Sequence, residues 1–340
     1  MPGTYKDIQR QTGLSLATIS KFYNGGTVLE ANRQAIVAAA AAVDYRPNET
    51  ARSLRTRRSR TLGVLLPELN NDFHLTIVTG IESSLRRDGI SVLICSSRAT
   101  DTVDRGAVDF LERRGVDALV AIPPAHEEAA LQEAVSRGLR VVCVDRVVEG
   151  LASDTVTLDN RGASREVVDH LVARGHRRIA VITGPEDVWT MSERLAGASQ
   201  AFADHDLPLD PAQVVSGPLT TSTGRLGLTR LVQMPEPPTA VYCTNYELTL
   251  GALMAVSELG LQVPQDISLV GFDSEPLAAV TRPRTTMYVQ PVAEMADAAA
   301  TLVRDHMGQD AHARPPRAVT LRGRLLPGGS VADLASAPPR

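Results

Sequence analysis

The sequence predicts an α/β protein: a small, basic, helical head followed by two successive lobes, each a parallel sheet with helices on both faces. Three observations carry this. The charge is uneven, with ten Lys/Arg against four Asp/Glu in residues 1–60 and 25 against 35 in residues 61–340. The first 25 residues read as helix, glycine turn, helix. From Thr61 onward, short β-branched runs alternate with longer amphipathic ones, the pattern of a βαβα series.

In the head, Tyr5 to Thr12 has helical character, Gly13 supplies a turn residue able to take positive φ, and Ser15 is a good N-cap for a helix running to about Tyr23. Ile8, Leu14 and Ile19 face inward, whereas Ser15, Leu16, Ala17, Ser20 and Lys21 face outward. In a helix-turn-helix the second helix enters the DNA major groove, its N-terminal residues nearest the base edges. Leu16 and Ala17 offer apolar contact, for instance to a thymine methyl. Lys21 can donate to guanine O6 or N7, and Thr18 serves structure or a phosphate. Further on, Pro47 stops a third helix and Asn48 can cap a short one to Arg55. That segment carries Ala51 and Leu54 on one side with Arg52 and Arg55 beside them. At about two turns it is too short to be stable alone in water. Arg55, Arg57, Arg58 and Arg60 suit phosphates, which set affinity and salt dependence rather than sequence choice.

In the body, residues 61–67, 91–97, 116–123 and 139–145 read as strands, being continuous, β-branched and too short for helices. Helices are expected from about Leu75 to Asp88, ended by Gly89, and from Ala129 to Arg137, ended by Gly138. The pattern restarts with strands at 177–184, 212–217, 239–245 and 266–273. The helices of this second set lie near 165–174, 192–204, 224–232 and 248–259. A last strand at 285–290 and a helix from Pro291 to Met307 fit a chain crossing back to the first lobe. Ligands of doubly wound sheets bind beyond the carboxyl ends of the strands, so two facing lobes offer a cleft.

Composition is that of ordinary globular material, 43% hydrophobic and 22% charged, without an export signal or a run of about 20 apolar residues, so the chain is expected to be cytoplasmic. Cys95, Cys143 and Cys243 sit in separate apolar runs and read as core thiols. The seven histidines are scattered without metal-ligand spacing, and nothing resembles a phosphate-binding loop or a nucleophile elbow. No metal, no cofactor and no catalytic residue is expected. The tail after Leu326, PGGSVADLASAPPR, reads as disordered.

The stretches TYKDIQRQTGLSLATISKFYNG and VLEANRQAIVAAAAAVDYRPNETARSLRT resemble the head and hinge of the LacI/GalR family of bacterial transcription regulators. SERLAG (192–197), CTNYELTLGALMAVSELGLQVPQDISLVGFD (243–273) and TTMYVQP (285–291) are similar to that family's effector-binding core. The resemblance spans nearly the whole chain. It implies a head over 1–46, a hinge over 47–60, and a two-lobed periplasmic-binding-protein-like core over 61–340. Lobe 1 would take about 61–160 and 289–322, lobe 2 about 161–288, and the disordered tail 327–340.

The implied function is a homodimeric, sugar-responsive repressor of a pseudo-palindromic operator with a central C·G step. Two hinges would fold together in the minor groove, Leu54 acting as the apolar wedge. The implied DNA-contacting set is Thr4, Ser15, Leu16, Ala17, Thr18, Ser20, Lys21, Asn24, Asn48, Ala51, Arg52, Leu54 and Arg55. The implied effector set is Phe73, His74, Asp145, Trp189, Thr190, Arg194, Leu219, Asn245 and Asp273. Two departures stand out: Tyr23 replaces the family's usual leucine after the recognition helix, and Tyr246 replaces its common aspartate. The rivals are a solute-binding receptor without a DNA role, and a regulator answering a non-sugar metabolite or a protein corepressor.

Overall fold

The computed structural model describes residues 3–23, 26–45, 58–97, 106–207, 209–308 and 314–335, and the chain divides into two compact units between Ser59 and Arg60. The first holds helices α1 (Tyr5–Thr12), α2 (Leu16–Tyr23) and α3 (Glu30–Ala42). The Asp7 carboxylate accepts hydrogen bonds from the Thr4 N–H (2.8 Å) and hydroxyl (2.7 Å), fixing the start of α1. Gly13 ends α1 at φ 66°, the left-handed conformation that lets the chain reverse within a few residues. Ser15 then caps α2, its Oγ accepting from the Thr18 N–H at 3.1 Å.

Ile8, Ile19 and Ile36 are fully buried between the three helices, with Leu14 packed against them. Tyr23 completes a cluster in which its ring lies 5.5 Å from Tyr5 and 5.0 Å from Tyr45, so an aromatic fills the usual leucine position. The N-cap of helix α3 is Leu29, which is 75% exposed and has no side-chain oxygen to cap the free N–H groups.

The second unit contains two six-stranded sheets. The first lobe comprises β1 (Thr61–Leu66), α4 (Asp72–Arg86), β2 (Ser91–Ser96), α5 (Ala107–Arg113), β3 (Ala118–Ala121), α6 (Glu128–Ser136), β4 (Val141–Val144) and β5 (Asp154–Leu158). The second comprises α7 (Asn160–Ala173), β6 (Ile179–Thr183), α8 (Trp189–Asp204), β7 (Val214–Ser216), α9 (Thr221–Val232), β8 (Ala240–Cys243), α10 (Tyr246–Glu258), β9 (Ser268–Phe272), α11 (Glu275–Val280) and β10 (Thr286–Val289). Helix α12 (Val292–Met307) and strands β11 (Ala318–Leu321) and β12 (Arg324–Leu326) follow.

Strand order is β11-β5-β4-β3-β1-β2 in one sheet and β12-β10-β9-β8-β6-β7 in the other, all parallel except β12 against β10. The chain therefore crosses between lobes three times, after β5, after β10 and after β11. Strand β10 joins the second sheet, whereas α12 buries Met295, Ala299 and Val303 in the first lobe's core.

Most expected helices begin two to five residues earlier in the structure; for α4, α7, α9 and α10 the reason is a first turn set by a side-chain cap (Asn71, Asp159, Thr220, Asn245) rather than by apolar periodicity. Strands β5, β11 and β12 were hidden by their polar or basic residues, Asp154, Thr155 and Arg324 among them. The tail corrects the expectation of disorder over 327–340. The Ser330 hydroxyl donates to Leu269 O (2.6 Å) and accepts from the Thr286 N–H (2.7 Å), and the Leu334 N–H reaches Arg174 O (2.8 Å). A Gly/Ser-rich segment satisfies buried strand ends without needing apolar bulk. Residues 336–340 lie outside the described residues.

At Gly197 α8 sits directly on the backbone of α7, since a Cβ there would stand 2.3 Å from Arg161 O. Two predictions follow from these local features. Leu29→Ser supplies the missing cap and should stabilise the head by about 0.5–2 kcal/mol in urea denaturation. Gly197→Ala should cost about 1–3 kcal/mol in the second unit, through forced separation of the two helices.

Candidate functional site

In the head, Thr4, Ser15, Leu16, Ala17 and Lys21 are exposed, and Thr18 and Ser20 half-buried. The face opposite Ile19 thus presents one cation, two apolar side chains and hydroxyls, the mixture that reads base edges and phosphates. The Ser15 and Thr18 hydroxyls are 2.9 Å apart, so both serve the cap. Asn24, Asn48, Ala51, Arg52, Leu54 and Arg55 lie outside the described residues.

Between the lobes, loops after β1, β4, β6, β7, β8, β9 and β10 enclose a polar chamber of about 80 Å³. Eight of the nine expected effector residues line it: Phe73, His74, Asp145, Thr190, Arg194, Leu219, Asn245 and Asp273. Trp189 does not. It precedes Thr190 on α8, and successive helical residues are turned about 100° apart, so Thr190, Met191 and Arg194 face the chamber in its place. A wider apolar groove of about 390 Å³ adjoins, sharing Asn71, Phe73, Tyr246 and Asp273 with the chamber and adding Leu277, Val280 and Val292. The chamber alone is below the roughly 300–1,000 Å³ of a typical ligand site, and the groove brings the pair into that range.

Arg194, 2% exposed, is fixed on several sides. Its Nε donates to Asn160 Oδ1 (2.8 Å), its Nη1 donates to Thr244 O (2.5 Å), and its Cζ sits 3.8 Å from the centre of the Phe272 ring. Asp273 is its counter-ion, with Oδ2 3.8 Å from Nη1, and its Oδ1 accepts from Gln290 Nε2 at 2.5 Å. Asp145 and Asp273 occupy matching places at the ends of β4 and β9, with φ of 69° and 80°. A non-glycine residue pays roughly 1–3 kcal/mol to stand there, a strain that concentrates at functional sites.

Burial raises the pKa of both aspartates, with Arg146 and Arg194 opposing the rise at Asp145 and Arg194 opposing it at Asp273. His74 is buried at the start of α4. Desolvation, helped by Arg146, lowers its pKa to about 3, so its imidazole is neutral at physiological pH.

Sequence reasoning missed Pro67, Glu68, Asn71, Arg146, Met191, Glu247 and Gln290 on the chamber wall. Of these, Asn71 and Glu247 matter most, because they join the lobes. Asn71 caps α4, its Oδ1 accepting from the His74 N–H (3.2 Å), while its Nδ2 donates to Glu247 Oε1 (3.0 Å). Asn245 caps α10, its Oδ1 accepting from the Leu248 N–H (3.0 Å), and its Nδ2 donates to Glu247 Oε2 (2.5 Å). The available signal was the cap pattern itself, an asparagine ahead of each helix. Gln290 stood within the TTMYVQP stretch.

Burial, with Asp273 and Glu68 nearby, pushes Glu247 up to about 7. A carboxyl whose pKa is raised by folding binds extra protons in the native state, so its penalty is absent below its ordinary value of 4.5 and complete above about 7. Glu247→Gln should therefore gain stability over the parent as pH rises from 5 to 8, measured by urea denaturation at both ends. An equal difference at the two pH values would contradict the shift.

Comparison with known proteins places this architecture. Residues 168–331 match the model of a periplasmic binding protein-like domain. The chain is 31% identical over 307 residues to the HTH-type transcriptional repressor CytR of Escherichia coli (strain K12), covering 89% of each. It superposes on the Lac repressor dimer bound to operator and the anti-inducer ONPF with a TM-score of 0.83, at 25% identity, covering 98% of this chain and all of that one. The complex of the transcriptional regulator CelR with cellobiose matches at a TM-score of 0.72 and 26% identity, over 96% and 99% of the two chains. Head and body together define a DNA-binding transcriptional regulator rather than an enzyme. The chain belongs to the LacI/GalR family.

Proposed function

We propose that the chain is a cytosolic, homodimeric repressor whose affinity for operator DNA is set by a small polyhydroxylated effector held between the lobes. One observation carries the effector part. The chamber is built from both lobes, it is lined by polar groups already removed from water, and three of their buried polar atoms have no hydrogen-bond partner. These are His74 Nδ1, Arg146 Nε and Gln290 Oε1. Leaving such groups unmatched is costly, and a ligand rich in hydroxyls supplies the missing partners. The solved structure of CelR, a regulator of the same fold, is a complex with cellobiose.

In this reading Asp273 and Asp145 accept ligand hydroxyls, and the cavity-facing edge of Arg194 donates. Asn245, Thr190 and His74 supply further contacts, and Phe73 and Leu219 close the apolar side. Trp189 is left to the rim. Effector binding changes the Asn71–Glu247 contact between the lobes and so the lobe angle. Movement of the first lobes of a dimer then decides whether the short hinges over 47–60 fold side by side in the minor groove, an order–disorder switch. Induction and corepression are the same linkage with opposite sign.

The DNA half is tested by selecting bound sites from random duplexes. The expected product is a pseudo-palindrome with a central C·G step, and an asymmetric site counts against a dimer. Leu54→Ala should weaken binding to the selected site while effector affinity stays unchanged, and retained operator affinity would remove the wedge. For the effector half, a thermal-shift panel of sugars, sugar phosphates and nucleosides identifies the class. Asp273→Asn should then lower affinity for the hit at least tenfold while leaving ligand-free operator binding in place.

A further inference from the structure

The chamber's charges do not balance. Four carboxylates face it (Glu68, Asp145, Glu247 and Asp273) against two cations, Arg146 and Arg194. Asp145 has Arg146 Nε at 3.7 Å, and Asp273 has Arg194 at 3.8 Å. Among the described residues Glu247 is held by neutral amides, its own backbone N–H and the Nδ2 groups of Asn71 and Asn245. Its burial is therefore uncompensated by positive charge, and Glu68 stands on the same wall.

A second feature lies in the same place. The Gln290 side chain, 4% exposed, donates through Nε2 to Asp273, which leaves Oε1 buried on the chamber wall with no donor. Glu247, Asp273 and Gln290 Oε1 all ask a ligand for N–H or O–H donors, and Glu247 also for positive charge. On the other side of the chamber, Arg146 Nε is a buried donor without an acceptor. The Phe73 and Tyr246 rings line both the chamber and the adjoining groove, and aromatic faces attract cations.

We propose that the effector bears a protonated amine, set against Glu247, Asp273 and Gln290, on a hydroxylated frame whose oxygens reach Arg146: an amino-polyol such as an amino sugar, not a sugar phosphate or a sugar acid. This rests on the reading of the cleft as the effector site and narrows the chemistry that it admits. An added phosphate or carboxylate would enter a chamber that already holds two more negative than positive side chains, at low dielectric. An ammonium supplies the missing counter-charge and up to three donors.

The same arrangement gives a pH dependence. Glu247 is faced by Glu68 and Asn71 from the β1–α4 loop, by Asn245 on its own element and by Asp273 after β9, and the chamber around it also holds His74, Asp145, Arg146, Arg194 and Gln290. Its pKa near 7 means that the empty cleft holds a proton there over part of the physiological range, and a bound cation displaces it. Affinity for the amine therefore rises as Glu247 gives up its proton and falls again where the amine loses its own, a maximum between the two rather than a plateau.

The test is calorimetric titration of the full chain at pH 7.5 with matched probes: glucosamine, galactosamine and mannosamine, the three parent hexoses, and the three hexose 6-phosphates. The proposal expects the amine of at least one pair to bind tenfold or more tighter than its parent, with the 6-phosphates weakest. In Glu247→Gln, an isosteric change, the ratio of amine to parent-hexose affinity falls toward unity, and Glu68→Gln lowers that ratio by a smaller factor. Parent hexoses binding as tightly as the amines in every pair, or a phosphate binding best, overturns the amine inference and leaves the sugar reading standing. Silence from all nine probes, with operator binding intact, overturns the carbohydrate reading and the inference with it.

Discussion

Arg194 is the point on which the second lobe's half of the cleft is assembled. Its guanidinium ties the residue that opens α7 (Asn160) to the end of β8 (Thr244), lies on the ring that ends β9 (Phe272), and neutralises Asp273 beside it. A buried guanidinium is tolerated only while those partners are in place, and removing one member of such a set costs about 3–5 kcal/mol. Helix α8 can deliver Arg194 there because Gly197, three residues on, lets it sit directly on α7. The cleft floor is thus stiff before any ligand arrives, and stiffness is what allows Gln290 Oε1 to stay there without a donor.

The first lobe contributes differently. Its half of the cleft is made of loop residues after β1 and β4, and the side-chain hydrogen bond from Asn71 to Glu247 joins it to the second lobe across the cleft. Three chain crossings permit the lobes to pivot without coming apart, whereas a contact centred on one carboxylate can be remade by a ligand. The proposed switch would use both parts, the rigid floor as its fixed side and the replaceable bridge as its movable one. The head shows the same economy on a smaller scale: three isoleucines and a tyrosine cluster hold α2, and Leu16, Ala17 and Lys21 are exposed on its other side.

Much of this was legible in the sequence, for identifiable reasons. Strands buried on both faces announce themselves as unbroken β-branched runs, so β1, β3, β4, β6, β8 and β9 were readable. Strands β5, β11 and β12 carry polar or basic residues and were not. Helix ends were blurred because a first turn is specified by caps such as Asn71 and Asn245, whose apolar periodicity has not yet begun. The effector residues that could be carried over by resemblance gather at the cleft, except Trp189, which a one-residue step turns away. Glu247 and Asn71 were invisible, because their importance comes from facing each other across 176 residues of chain. Ser330 was hidden likewise by a composition that mimics disorder.

The central claim is that cleft and head share one equilibrium, and thermodynamic reciprocity tests it most directly. With the first effector that the panel identifies, operator affinity is measured by fluorescence anisotropy with and without saturating ligand. Ligand affinity is then measured with and without saturating operator. The account predicts that the two ratios are equal and differ from one by about fivefold or more. Two ratios of one, with both ligands bound, would contradict it: the cleft would then be a binding site with no connection to DNA.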